Sequence, residues 1–115
     1  HPGLNTIYVT AAVEYAGVSR PLTFNSGSRE VTIAPGGIAV SDFTTVSIPA
    51  NTQFWTRQNV RTANATEKYA VGYTSLPVFG EGYSIDNPLA QVDTTGVLTT
   101  NSAFGVFAPI AIMAT

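Results

Sequence analysis

An all-β domain, arranged as a two-sheet antiparallel sandwich of jelly-roll type, is the fold this sequence predicts. Three observations predict it. Apolar residues recur with period 2, and no sustained i, i+3, i+4, i+7 pattern appears anywhere. Gly, Pro and Asn interrupt the alternation at short intervals, as turns do between short strands. The length of 115 residues with 44% hydrophobic content suits one domain with its own core and excludes a disordered chain.

The elements follow in order. Asn5–Tyr15 reads as the first strand: Ile7, Val9, Ala11, Val13 and Tyr15 define one face, and Thr10 and Glu14 fall on the other, mixed face. Ala16-Gly17 begins a turn. Pro21–Phe24 is expected to be a short edge strand, because Pro21 cannot donate to a ladder. Asn25-Ser26-Gly27-Ser28 is a turn, and Arg29–Ile33 a strand with Val31 and Ile33 inward. Pro35-Gly36-Gly37 is a strong turn signal. Ile38–Ser41 and Thr44–Ile48 are expected as strands around Asp42, ended by Pro49-Ala50-Asn51. Gln53–Thr62 is a second long strand, with Phe54 and Val60 on one face and Trp55, Arg57, Asn59 and Arg61 on the other. Lys68–Thr74 resumes a strand with Tyr69, Val71 and Tyr73 on one side. Leu76–Gly96 is irregular, and Val97–Thr99 and Ala103–Met113 close the domain. The first and last strands, the longest and most apolar, are expected at the centre. No internal repeat or linker appears, so residues 1–115 read as a single domain.

Composition removes several function classes. Only 10% of residues are charged and the net charge is −2, with no Lys/Arg cluster, which argues against nucleic-acid binding. No apolar run approaches the roughly 20 residues a membrane-spanning helix needs. The absence of cysteine excludes disulfides, thiolate catalysis and cysteine-based metal sites. Low charge with abundant Thr, Ser and Asn is the habit of extracellular and virion-surface proteins.

Catalytic constellations fare poorly. A Ser-His-acid triad needs an imidazole beside a serine, and the one histidine is His1. A terminal His1 could chelate copper through its amine and ring, but such a site needs a second histidine. The acids Glu14, Glu30, Asp42, Glu67, Glu81, Asp86 and Asp93 show neither a glycosidase pairing nor EF-hand spacing. Asp42 and Asp86 read as turn residues whose carboxylates bond local backbone amides. No catalytic residue, metal or cofactor is therefore assigned.

The best binding candidate is the face Trp55, Arg57, Asn59, Arg61, joined by Glu81 from between two glycines of the long loop. Aromatic rings stack on the apolar faces of sugars, while guanidinium and amide groups bond their hydroxyls. Tyr69, Tyr73 and Tyr83 could extend the platform. A structural reading competes with it, in which Trp55 fills the core or a subunit interface and the arginines pair with Glu14 or Glu30. Asn64-Ala65-Thr66 matches a glycosylation sequon.

Several phrases occur in one order across most of the chain: Leu4–Tyr15, Pro21–Phe24, Arg29–Asp42, Ile48–Arg57, Gly80-Glu81-Gly82 and Phe107–Met113. Together they resemble the β-sandwich region that precedes the catalytic domain of some bacterial SGNH/GDSL-type hydrolases. In those proteins a Gly-Asp-Ser block carrying the nucleophile follows. Neither Gly-Asp-Ser nor Asp-x-x-His occurs in this chain, which ends at Thr115, about where that domain is expected to begin. The resemblance implies a sandwich and an ester-cleaving partner acting on extracellular carbohydrate, and no catalytic residue here. The sequence-level expectation is thus a non-catalytic accessory module that positions, binds glycan or oligomerises. The alternative is a structural protein of a virion or other surface assembly, packed against copies of itself.

Overall fold

The computed structural model describes residues 4–64, 66 and 92–96. The elements there are all β-strands: β1 (Ile7–Tyr15), β2 (Val18–Pro21), β3 (Glu30–Ile33) and β4 (Trp55–Arg61). They form one four-stranded antiparallel sheet in which β1 pairs with each of the other three. The expected strands at Lys68–Thr74, Val97–Thr99 and Ala103–Met113 lie outside the described residues, as does most of the irregular stretch Leu76–Gly96.

The registers show how three partners share two edges of β1. Along one edge Tyr8 to Glu14 meets Arg61 to Trp55 of β4. Along the other, Ala12 to Tyr15 meets Pro21 to Val18 of β2, and Ile7 to Thr10 meets Ile33 to Glu30 of β3. β2 and β3 are therefore one lane running beside β1, broken opposite Ala11 by the excursion Leu22–Arg29. Leu22 N–H still donates to the Ala11 carbonyl at 2.9 Å, and Arg29 Nη1 donates to the same oxygen at 3.0 Å. A second bond from Nη1 goes to the Leu22 carbonyl. The guanidinium thus fills the gap that the excursion leaves in the ladder, where an unpaired carbonyl would be costly.

Turn chemistry explains the connections. Tyr15 and Val18 pair across Ala16-Gly17, whose φ values of 53° and 71° define a type I′ hairpin turn. The excursion is closed by the pair Phe24 and Ser28, bonded both ways at 2.7 Å, around Asn25, Ser26 and Gly27, all with positive φ. After β3, Gly37 N–H donates to the Ala34 carbonyl at 2.8 Å, with Pro35 at the second position and Gly36 at φ 77°. That is the residue order a type II turn requires.

Two expectations need correction. Pro21–Phe24 is not a strand: the strand is Val18–Pro21, and Pro21 ends it because Leu22 leaves on the excursion. Ile38–Ser41 and Thr44–Ile48 are not strands either. The segment runs alongside the sheet with Ala39 packed against the core and Ile38, Val40 and Phe43 turned out. Alternating side chains show that a chain is extended; they do not supply a partner for its edges. This segment is tied instead by Asp42. Its N–H donates to the Thr23 carbonyl at 2.7 Å, and its carboxylate accepts from Ser26 N–H at 3.0 Å and Gly27 N–H at 2.9 Å. The carboxylate does bond backbone amides, but those of a distant loop rather than of its own turn.

Side-chain alternation divides the sheet into two faces. On the odd face of β1, Val9 and Ala11 pack with Val31 and Ile33 of β3 and with Leu22, Phe24 and Ala39. On the even face lie Tyr8, Thr10, Ala12 and Glu14, opposite Arg61, Asn59, Arg57 and Trp55 of β4. β1 is buried on both faces, with Ile7 and Ala11 on one and Thr10, Ala12 and Glu14 on the other. The expected central place of the first strand is met.

Candidate functional site

The even face is where β4 places the four residues singled out in the sequence. Antiparallel pairing with β1 brings Trp55, Arg57, Asn59 and Arg61 onto one side of the sheet in a single row. Glu81, Tyr69, Tyr73 and Tyr83 lie outside the described residues, as does His1.

The row is not uniform. Arg57 and Asn59 are buried, Trp55 is half-buried and Arg61 is exposed. Arg57 Nε and Nη2 both donate to Glu14 Oε2, at 3.0 and 2.6 Å. Their side chains are only 8% and 11% exposed, so this is an ion pair largely removed from water. Arg61 reaches across the sheet to Glu30 on β3, with bonds to Oε1 at 2.7 Å and Oε2 at 2.9 Å from Nη2. On the way its guanidinium lies 4.3 Å from the centre of the Tyr8 ring. Both arginines thus have carboxylate partners, Glu14 and Glu30.

A short segment from the far end of the described chain lies over this face. Gly96 N–H donates to Glu14 Oε1 at 2.9 Å, and Arg57 Nη2 donates to the Gly96 carbonyl. Arg57 Nη1 also reaches Thr94 Oγ1 at 3.4 Å. One buried ion pair therefore grips a single residue by both its N–H and its C=O. At the other end of the segment Asp93 Oδ1 is 2.6 Å from Arg29 Nη2. Ser19, opposite Glu14 on β2, turns its Oγ into the same region. That oxygen is shielded from solvent with no hydrogen-bond partner among the described residues.

The electrostatics follow from these bonds. The Gly96 N–H holds the Glu14 carboxyl below the usual carboxylate range, helped by the hydrogen bonds and charge of Arg57 and opposed by burial. The Asp42 carboxyl is also lowered, first by the Ser26 N–H, then by the Thr23 hydroxyl and the Gly27 N–H. Glu14 and Asp42 are therefore anions at neutral pH, each already engaged by donors of this chain. Neither is placed as a general acid or base. Among the described residues no group of three or more His, Cys, Asp or Glu side chains could hold a metal ion. Among them, too, no helix is long and apolar enough to cross a membrane.

Sequence reasoning could weigh Glu14 and Glu30 as partners for the arginines because charges are so few. It missed the grip on Gly96, the Arg29 to Asp93 contact and the place of Tyr8 beneath Arg61. Each joins residues distant in the chain, and none leaves a local pattern. A second surface emerges only from the structure. Ile38, Val40 and Phe43 are 76%, 63% and 89% exposed, on a stretch whose one charge, Asp42, is bonded inward. Comparison with protein-family models, curated proteins and solved structures finds no match.

Proposed function

We propose that this chain is a non-catalytic accessory module that works beside an SGNH/GDSL-type esterase on extracellular carbohydrate, docking to the hydrolase through the strip Ile38, Val40, Phe43. The observation that carries the reading is that strip. A monomer gains nothing by holding three large apolar side chains in water, whereas a docking surface uses them as its core. The ordered resemblance to the region before the hydrolase domain names the partner. The commitment of Glu14, Asp42, Arg57 and Arg61 to each other and to backbone groups supports a scaffold rather than a reacting centre.

A jelly-roll-like sandwich belongs to the same reading. Its support is the double-sided burial of β1, which calls for a layer over each face. Glycan contact belongs to the Trp55 face, where the half-buried indole and the exposed Arg61 are the accessible groups.

The same strip favours a second reading, a building block of a virion or other surface assembly. An uncharged apolar strip packs against its own copy without like-charge repulsion. Coding sequence and oligomeric state separate the two. A Gly-Asp-Ser block encoded downstream of Thr115, or on a chain that co-purifies with this one, supports the accessory module. A stable self-assembly with no such partner overturns it in favour of the building block.

A further inference from the structure

We propose that Asn25 is a site of spontaneous deamidation whose rate is set by the Asp42 carboxylate. Asparagine is thermolabile because the next backbone nitrogen can attack its side-chain amide. Here the next residue is Ser26, small enough to leave that path open. Asn25, Ser26 and Gly27 are all exposed, so water reaches the site. The reaction needs only this chain and water. Ser26 N gives its proton to solvent and attacks Asn25 Cγ. An N–C bond forms, the Cγ–Nδ2 bond breaks, and Nδ2 takes up a proton and leaves as ammonia. Water then opens the five-membered imide at either carbonyl, giving aspartate or isoaspartate. The second product carries an extra methylene in the main chain.

The structure opposes this reaction at its nucleophile. Ser26 N–H donates to Asp42 Oδ1 at 3.0 Å, so the proton that must leave is already held by an acceptor. That acceptor is an anion at neutral pH, and its charge disfavours the negative nitrogen that loss of the proton would create. Gly27 N–H holds the other carboxylate oxygen at 2.9 Å, and Asp42 N–H is itself bonded to the Thr23 carbonyl at 2.7 Å. The loop is closed by the mutual bonds of Phe24 and Ser28, and Asn25 and Ser26 are held at φ 52° and 67°. Attack on Asn25 therefore waits on release of the Ser26 bond.

The consequence reaches beyond the loop. Isoaspartate at position 25 lengthens the main chain between Phe24 and Ser28, so the Ser26 and Gly27 amides lose their fit to the Asp42 carboxylate. Asp42 lies in the stretch that carries Ile38, Val40 and Phe43, and its carboxylate is one of that stretch's ties to the rest of the chain. Ageing at one exposed residue thus loosens the hold on the apolar strip. Its meaning for docking rests on reading the strip as a docking surface; the deamidation is measured without any partner, so the two ideas can fail separately.

The experiment is incubation of the full chain at one slightly alkaline pH and physiological temperature. Aspartate and isoaspartate at position 25 are measured by peptide mapping with mass spectrometry. A synthetic peptide spanning residues 21–30 gives the unprotected rate. Wild-type Asn25 is expected to convert about tenfold or more slowly than the peptide, the factor that one hydrogen bond to a charged acceptor supplies. Asp42→Ala removes both acceptor and charge and is expected to bring the rate toward that of the peptide. Asp42→Asn keeps an acceptor without the charge and is expected to fall between the two. Hydrogen exchange of the β1–β4 ladder amides in the same samples separates release of this bond from unfolding of the chain. Wild-type Asn25 converting at the peptide's rate would overturn the proposal, as would a rate indifferent to Asp42→Asn.

Discussion

Replacing Arg57 by methionine isolates the energetics of the even face. The guanidinium gives Glu14 two bonds, and the pair is only 8% and 11% exposed, so its removal leaves a carboxylate with little water and one strong donor, Gly96 N–H. Stranding a buried charge costs about 3–5 kcal/mol. Glu14 keeps the Gly96 bond, which places the loss at the low end, about 3 kcal/mol. With a urea dependence of about 2 kcal/mol per molar, the unfolding midpoint falls by about 1.5 M. Trp55, the only tryptophan, reports the transition by fluorescence from the position opposite Glu14. Arg61→Ala is the internal control. Its pair with Glu30 is 46% and 35% exposed and screened, so even with the Tyr8 stacking it should cost only about 1 kcal/mol. The double change Glu14→Leu with Arg57→Met should recover more than half the loss, because no charge is then stranded. If Arg57→Met costs no more than Arg61→Ala, the pair is open to water and the account of this face is refuted.

Other outcomes follow from the same geometry. Glu14 and Asp42 both have lowered pKa values in the folded state, so the stability they lend is present above the unfolded carboxylate value and is lost as pH falls through the folded one. Urea midpoints measured from pH 6 down to pH 3 should therefore fall, and Glu14→Gln should flatten part of that slope. Ala16 carries a side chain at φ 53°, where an L-residue is strained by about 1 kcal/mol, so Ala16→Asn should raise stability by up to that amount in a thermal melt. Phe43→Asp, at a position 89% exposed, should change stability by less than about 0.5 kcal/mol; under the proposed docking it should also weaken binding to an SGNH/GDSL-type hydrolase domain in a titration.

How much of this was legible in the sequence depended on distance along the chain. Ala16-Gly17 and Pro35-Gly36-Gly37 declare their turns through local backbone demands, and both form. Alternation in Ile7–Tyr15 and Trp55–Arg61 fixed which residues share a face, and the register agrees. The mixed character of Thr10 and Glu14 marked a face that is buried but polar. Alternation misled at Ile38–Ile48, because an extended stretch becomes a strand only when another edge meets it. It could not show that Val18–Pro21 and Glu30–Ile33 are one interrupted lane, since that depends on Ala11 facing the gap. The Gly96 grip was equally hidden: it joins residues 82 positions apart, and neither neighbourhood hints at the other.

The account stands on the claim that the chain does no chemistry of its own. Its direct test is hydrolysis of p-nitrophenyl acetate by the purified, folded chain, measured against buffer. The expected result is a rate indistinguishable from buffer, unchanged by serine substitution. Saturable turnover that disappears when one serine is replaced by alanine would contradict it.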